Sequence, residues 1–170
     1  MFWTVALIVI IIVIFIAKIL LNKKEQAFDI ASYQKKTRVM NESEQALFIN
    51  LQKALGDAYI VLSKVRIEDF VDVDKKNISN NSHWGLRGKI KSRHVDFLVC
   101  DHATTKPLLA IELDGKSHND PRRKNRDQFV DELYNVIGLP IKHIPVGGNF
   151  LELAQKISNH LRADADNQQL

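Results

Sequence analysis

Three carboxylates lie on two neighbouring apolar segments of the sequence. Asp96 lies within residues 94–100 (HVDFLVC), while Glu112 and Asp114 lie in or directly after residues 107–113 (PLLAIEL). Both segments are short, apolar and mostly free of charge, which predicts two buried strands. Six residues separate the segments, and a connection of that length favours a hairpin.

The hairpin would bring these carboxylates together. With its turn near Thr104, cross-strand partners have numbers that sum to about 208, so Asp96 faces Glu112 with Cβ atoms about 5 Å apart. Asp114 shares a strand face with Glu112 because it lies two residues further along. Like charges raise one another's pKa, and a bound cation relieves that conflict. The spacing therefore predicts a Mg²⁺ (or Mn²⁺) site with Asp96, Glu112 and Asp114 as metal ligands. The alternative is that each carboxylate pairs with a nearby Lys or Arg.

The flanking elements predict one α/β domain. Asn41 and Glu44 have the spacing of a capping box, which predicts a first helix that ends at Gly56. The pattern then predicts a strand over 58–67, a loop over 74–83, a helix over 121–137, a strand over 139–146 and a helix over 150–161. This order of elements, with the hairpin in the middle, is typical of a three-layer α/β domain.

The N-terminal residues are far more apolar than the rest. Residues 2–21 contain a single charged residue, Lys18, and twenty helical residues span about 30 Å, the thickness of a bilayer core. A cleaved signal peptide is the alternative, but no basic segment precedes the apolar run and no A-x-A site follows it. We predict a transmembrane anchor over 1–22 that contacts the lipid bilayer through 2–21, a juxtamembrane linker over 23–40, a domain over 41–163 and a polar tail over 164–170.

Charge and cysteine content indicate where the domain lies. Basic residues cluster after the apolar segment, at Lys23, Lys24, Lys35, Lys36 and Arg38. The positive-inside rule then predicts a single-pass protein with its N-terminus outside and its C-terminal domain in the cytoplasm. One cysteine excludes an internal disulfide and fits a reducing compartment. Apart from Lys18, 23 Lys and Arg face 20 Asp and Glu, a balance that permits nucleic-acid binding without demonstrating it.

The strings HVDFLVCD, PLLAIELDGKSH and RRKNRDQFVDELYNVIGLP together resemble an uncharacterised bacterial family of restriction-endonuclease-like domains. That family is related to the very-short-patch mismatch repair endonucleases and to the PD-(D/E)XK nuclease superfamily. The resemblance covers residues 41–146 and implies a restriction-endonuclease-like core, a mixed sheet flanked by helices. Together with the predicted anchor, it implies a place in the bacterial inner membrane.

The resemblance also implies roles for individual residues. Asp96 matches the motif Asp, and Glu112 matches the acidic residue of the (D/E)XK strand. Asp114 falls where the superfamily usually has Lys, which orients the attacking water and stabilises charge on the phosphate. Glu44 resembles a helical Glu that many members place beside the metal, although it can simply complete the capping box. Lys116, two residues beyond Asp114, is one substitute for the missing Lys, and Lys124 is the other.

Two further residues match positions that recur in the mismatch-repair-like branch. His118 can act as a general acid or base because its intrinsic pKa is near neutrality; alternatively it caps the helix near Pro121. Asp127 can support the catalytic site, or it can form an ion pair with Arg123 one turn earlier.

A basic run follows the catalytic strand and predicts a contact with nucleic acid. It consists of Arg122, Arg123, Lys124 and Arg126. Basic side chains and a helix N-terminus both attract phosphate. Trp84 can stack on an unpaired base or cover the edge of the core, and we predict the second.

Three functional hypotheses follow. The leading one is a metal-dependent phosphodiesterase that acts on nucleic acid, with DNA as the expected substrate. Asp96, Glu112 and Asp114 bind the metal, and Lys116, His118 and Asp127 assist catalysis. The second is a catalytically inactive nuclease fold that binds nucleic acid or a protein partner at the membrane. The third is a shared fold with no nucleic-acid role, because a fold does not determine a function.

Overall fold

The computed structural model describes residues 2–25, 32–115 and 121–167, and the chain divides into two compact units, Met1–Val39 and Met40–Leu170. In the first unit, helix α1 covers Phe2–Glu25. Its segment Phe2–Leu20 is long and apolar enough to cross a membrane. This confirms the predicted N-terminal apolar helix, and a signal sequence would meet the same criteria.

The second unit is a mixed α/β domain built on one sheet. Its elements are helix α2 (Glu42–Leu55), strand β1 (Tyr59–Arg66), helix α3 (Asn80–Ile90), strands β2 (His94–Asp101) and β3 (Pro107–Asp114), helix α4 (Pro121–Val136), strand β4 (Ile141–Pro145) and helix α5 (Phe150–Asn167). The strands lie in the order β1-β2-β3-β4. The first three are antiparallel neighbours, and β4 runs parallel to β3.

Local signals fix the start and end of α2. Asn41 is the N-cap, its side chain accepts from the backbone N–H of Glu44, and the Glu44 carboxylate accepts from the backbone N–H of Asn41. The predicted capping box is therefore confirmed. Gly56 follows the helix with φ of 61°, a left-handed value that favours glycine.

The predicted hairpin register is confirmed. Phe97 pairs with Ile111 and Leu98 with Ala110, and the numbers of each pair sum to 208. The register shifts between Val99 and Cys100, beyond the part of the hairpin that carries the acidic residues. Asp96 and Glu112 are thus the next pair of positions after Phe97 and Ile111.

Apolar side chains cover both faces of the sheet. Helices α2 and α5 pack against one face, and their core residues share a cluster with Phe97, Val99 and Ile111. Tyr134 of α4 packs with Leu98, which alternates with Phe97 and therefore points to the opposite face. The sheet lies between two helical layers, as the order of elements predicted.

The loop prediction for residues 74–83 is wrong at its end, because α3 begins at Asn80. Ser79 caps this helix by accepting from the backbone N–H of Ser82 at 3.2 Å. Within α3 only Ile90 is buried, so the periodic apolar pattern that reveals other helices is missing here. The expected element order therefore lacked one helix.

Two other expectations also need correction. Trp84 does not cover the core edge, since 62% of its surface is exposed. Helix α5 continues to Asn167, six residues beyond the predicted helix end at Leu161. An i,i+4 contact between His160 and Asp164, at 3.4 Å, spans the predicted boundary.

Candidate functional site

Four polar residues, one from each strand, form a row across the sheet. The pairs Ser63–Phe97 and Val65–Val95 flank the positions of Lys64 and Asp96, and the register of β2 and β3 puts Glu112 next. Glu112 pairs directly with His143 of β4. We call Lys64, Asp96, Glu112 and His143 the polar row.

Lys64 links the row to helix α2. Its Nζ donates to Asp96 Oδ1 at 2.5 Å and to Glu44 Oε1 at 2.6 Å. Partial burial opposes the charged form, but the hydrogen bonds to Asp96 and Glu44 outweigh it and raise the pKa of Lys64. The ammonium is therefore charged at neutral pH. Glu44 thus completes the capping box of α2, as one alternative predicted, and also holds Lys64. A place beside a metal stays a prediction.

The Asp96 side chain lies at the point where the backbones of β2 and β3 stop pairing with each other. Paired residues of β2 and β3 end at Phe97 and Ile111. Beyond them, the backbone N–H of Leu113 donates to Asp96 Oδ2 at 2.9 Å, so a side chain accepts the hydrogen bond in place of a β2 carbonyl. Because its other oxygen is held by Lys64, Asp96 has a fixed orientation, and 13% of its side chain is exposed.

Glu112 shares a buried environment with Asp96. Burial, the negative charge of Asp96 and a hydrogen bond to Asp96 raise the pKa of Glu112 to about 8. Glu112 therefore carries a proton at neutral pH and donates it to the Asp96 carboxylate. The two carboxyl groups meet as the hairpin register predicted, and they do so by sharing a proton.

Asp114 turns towards His143. Its Oδ1 lies 3.3 Å from His143 Nδ1, and Nε2 of the same ring lies 3.2 Å from Oδ1 of Asp131 on α4. Partial burial disfavours the imidazolium, but the hydrogen bonds to the two carboxylates raise the pKa of His143. The ring thus connects β3, β4 and α4.

In the described ranges 2–25, 32–115 and 121–167, no group of three His, Cys, Asp or Glu side chains has the arrangement of a metal site. Asp114 bonds to His143, and its role as a third metal ligand stays a prediction. Asp96 and Glu112 nevertheless fit a hard cation, because two neighbouring carboxyl groups supply the oxygen ligands that such an ion prefers, and a cation would offset the repulsion between their charges.

The remaining predicted site residues lie where little can be described. Lys116 and His118 fall outside the described residues. Asp127 and the basic run of Arg122, Arg123, Lys124 and Arg126 lie on α4, but the description of this part of the helix covers its backbone only.

Sequence reasoning missed Lys64, His143 and Asp131. A weak signal for two of them was present, because Lys64 and His143 are polar residues inside mostly apolar strand segments, AYIVLSKVRI and LPIKHIPV. Asp131 gave no such signal, since it lies on the exposed side of an ordinary amphipathic helix.

Residues 36–160 match a family described as "Protein of unknown function (DUF2726)". An uncharacterized protein of Haemophilus influenzae is 29% identical over 113 residues, which cover 65% of this chain and 55% of that protein. The chain thus spans about half the length of that relative. No solved structure matches the chain. The family match includes all four residues of the polar row.

Proposed function

This chain belongs to the DUF2726 family, and we propose that it is a membrane-anchored, metal-dependent nuclease that hydrolyses phosphodiester bonds in nucleic acid, with DNA as the substrate. The contact between the Asp96 and Glu112 carboxyl groups, beside the Lys64 ammonium, carries the proposal. Buried residues of β2 and β3 flank this contact, and a carboxyl group whose pKa is shifted by burial and by a specific charged partner is typical of functional sites.

Asp96 and Glu112 would hold Mg²⁺ or Mn²⁺. When bound, the cation supplies Lewis-acid polarisation of the phosphate and lowers the pKa of the attacking water. Asp96 is preorganised for this role, because Lys64 and the Leu113 N–H fix its two oxygens. Asp114, our third predicted ligand, orients His143 in the present arrangement.

Lys64 takes the role that the resemblance would give to a Lys at position 114. Lys64 lies on β1, next to the strand that carries Asp96. Its ammonium is charged because Asp96 and Glu44 hold it. From that position Lys64 stabilises the negative charge that develops on the phosphate during hydrolysis. Lys116 and His118 remain predicted assistants at the same edge of the sheet.

His143 is the second group in the row that can move a proton. Its ring lies between Asp114 and Asp131, which stabilise the imidazolium form. A charged imidazole can protonate a leaving oxygen and then return to its neutral form. Asp127, on the same helix as Asp131, is proposed to support this part of the site.

The fold and the anchor are further parts of the proposal. A mixed sheet with an acidic hairpin and a parallel crossover, between two helical layers, supports a restriction-endonuclease-like core. Helix α1 is proposed to anchor the domain in the bacterial inner membrane. The basic residues that follow α1 support a cytoplasmic domain. Arg122, Arg123, Lys124 and Arg126 are proposed to bind the nucleic-acid backbone.

The test uses the full chain in a nonionic detergent with supercoiled plasmid and Mn²⁺. We expect conversion to the nicked form, and we expect Asp96→Asn to abolish it while the domain still unfolds cooperatively on heating, which shows that it is folded. Asp57→Asn, at an exposed carboxylate, is the matched control and should nick like the wild type. Equal nicking by Asp96→Asn and wild type would overturn the proposal.

A second candidate is an inactive nuclease fold that binds nucleic acid or a protein at the membrane. It is favoured by Asp114 at the position of the usual Lys, and by the lack of a three-ligand group among the described side chains. This candidate predicts a salt-sensitive mobility shift of plasmid without nicking in any divalent cation.

A further inference from the structure

Helix α3 presents an aromatic residue to solvent within a strongly basic segment. Trp84 is 62% exposed, although a tryptophan has more apolar surface to bury than any other residue type. Residues 75–95 contain six Lys and Arg and no Asp or Glu. These basic residues are Lys75, Lys76, Arg87, Lys89, Lys91 and Arg93. Arg87 pairs with Glu68, and four acidic residues lie in the preceding segment 68–74. The positive charge near Trp84 is therefore concentrated at the C-terminal end of α3, where it would attract an anionic ligand that also offers an apolar face.

The Trp84 ring is exposed but held in position. The Arg87 guanidinium lies 5.5 Å from the ring centroid, and the His83 ring meets it edge-on with centroids 5.4 Å apart. Arg87 is itself fixed by a 3.2 Å hydrogen bond to Glu68. A ring that is fixed before a ligand arrives loses little conformational entropy when it is covered.

Two glycines keep the surface beside Trp84 clear. Gly85 and Gly88 lie in the interior of α3, and a Cβ at either position would meet nothing within 4 Å. The fold therefore has no steric need for them, although glycine destabilises a helix interior relative to alanine. Gly88 follows Trp84 by one helical turn, on the same side of the helix. A Cβ at this position would meet no part of the described chain, but it would project towards a ligand stacked on Trp84.

We propose that α3 binds unpaired nucleotides, with a base stacked on Trp84 and a phosphate bound by Lys91, which lies on the same side of the helix two turns further on. Lys89 lies instead over the Phe129 ring of α4, 5.6 Å from its centroid. A base can stack on Trp84 only if it is not already paired and stacked within a duplex. The ligand is therefore single-stranded or locally unpaired nucleic acid. This inference rests on the proposed function, because it names the substrate class of the same domain. The chain runs from Ile90 of α3 to Asp96 of the polar row within six residues, which keeps the two surfaces on one continuous segment.

A lipid surface is the competing ligand for basic and aromatic residues. A helix that lies in a membrane interface needs a continuous apolar face. In α3 the exposed large apolar side chains are Trp84 and Leu86, too few to form one. Nucleic acid, which needs only a stacking surface and nearby cations, is favoured.

The test places the full chain in nanodiscs of neutral phosphatidylcholine with EDTA, which prevents cleavage. The chain has two tryptophans, so Trp3→Phe leaves Trp84 as the sole emitter. We expect an oligo-dT of about 15 nucleotides to quench its fluorescence, and a blunt duplex of equal length to quench it far less. By fluorescence anisotropy of a labelled oligo-dT, Trp84→Ala should weaken binding about tenfold or more, while Trp84→Phe retains most of it.

Controls separate a binding role from a structural one. Gly88→Ala should raise the melting temperature and yet weaken oligo-dT binding, an outcome that a purely structural glycine would not give. Lys91→Ala should reduce the salt dependence by about one counterion, whereas Lys53→Ala, at an exposed position of α2, should not.

Unchanged oligo-dT affinity in Trp84→Ala would overturn the inference. So would a blue shift of Trp84 emission in nanodiscs containing phosphatidylglycerol together with no response to oligo-dT, which would assign the surface to lipid. Because EDTA excludes cleavage, loss of plasmid nicking would refute the proposed function without affecting this result. Plasmid nicking with no Trp84 effect would refute this inference alone.

Discussion

Lys64 donates to Asp96 at 2.5 Å from a backbone with φ of 55°. A left-handed conformation is costly for a residue with a side chain, and it lies here inside a strand, between the pairs Ser63–Phe97 and Val65–Val95. Such strain persists where the surrounding contacts demand it, and it concentrates at functional sites. We infer that the backbone distortion serves to aim the ammonium at Asp96 and Glu44.

Substitutions at Lys64 should distinguish the effect of its backbone strain on stability from the effect of its charge on activity. Lys64→Gly and Lys64→Ala both remove the ammonium, so both should lose nuclease activity at least tenfold. Glycine accepts the left-handed conformation, so Lys64→Gly should be more stable than Lys64→Ala by about 1 kcal/mol. At an ordinary strand position, the glycine variant is normally less stable than the alanine variant. Urea unfolding of both variants measures the difference, and a more stable alanine variant would show that φ relaxes in the native protein.

Glu44 should have two separable roles. Asn41→Ala removes half of the capping box and should cost about 1 kcal/mol of stability with little change in activity. Glu44→Gln keeps a capping side chain, since Gln serves in the same motif, but loses the ion pair with Lys64. We expect this variant to lose activity with a smaller stability change than Asn41→Ala. Thermal unfolding and plasmid nicking are compared for both. Full activity in Glu44→Gln would restrict Glu44 to capping.

The protonated Glu112 should make stability depend on pH. Its pKa is about 8 in the fold, against an ordinary value of 4.5, so the folded state binds the proton more tightly than the unfolded state. The resulting stabilisation is fully present below about pH 4.5 and is lost as pH rises through 8. Relative to Glu112→Gln, the wild type should lose on the order of 2 kcal/mol between pH 5 and pH 8 without divalent cations.

Chemical unfolding of the two proteins at both pH values measures this difference. His143 titrates in the same direction and is present in both proteins, so most of its contribution cancels from the comparison, apart from its interaction with the Glu112 charge. Parallel pH profiles for wild type and Glu112→Gln would mean that Glu112 is ionised in the fold, contrary to the geometry described above.

Replacing Tyr134 by phenylalanine should make the protein more stable. The Tyr134 side chain is buried, and its hydroxyl has no hydrogen-bond partner within the described parts of the chain. Burial and the charge of Glu112 raise the pKa of Tyr134. Because a buried, unsatisfied hydroxyl is costly, Tyr134→Phe should raise stability by about 1 kcal/mol. Thermal unfolding measures it, and a lower melting temperature would indicate that the hydroxyl has a partner in the native protein.

The fold could be predicted from sequence wherever a local signal was strong. The Asn41–Glu44 capping box, the start of α4 at Pro121 and the pairing register of the hairpin each depend on residues close in the chain. Helix α3 was missed because it buries one residue, Ile90, and contains two glycines. Its stability comes from tertiary contacts that a periodic pattern does not reveal.

The site was predictable only in part, for a related reason. The proximity of Asp96 and Glu112 could be predicted, because the register of a hairpin follows from the sequence of its two strands and its turn. Lys64 reaches Asp96 from a strand 32 positions earlier, and His143 reaches Asp114 from 29 positions later. Those contacts depend on strand order and on an unusual backbone angle. The turn of Asp114 towards His143, away from the expected cage, has the same origin.

Titration calorimetry of Mn²⁺ into the full chain at pH 7 tests the central claim most directly, because it asks whether Asp96 and Glu112 exchange a shared proton for a divalent cation. Buffers of low and high ionisation enthalpy report proton release. We predict saturable binding that releases about one proton, because Glu112 with a pKa of about 8 must ionise to bind the ion. Asp96→Asn should abolish binding and Asp57→Asn should retain it. No Mn²⁺ binding by the wild type, or equal binding by Asp96→Asn, would contradict the account.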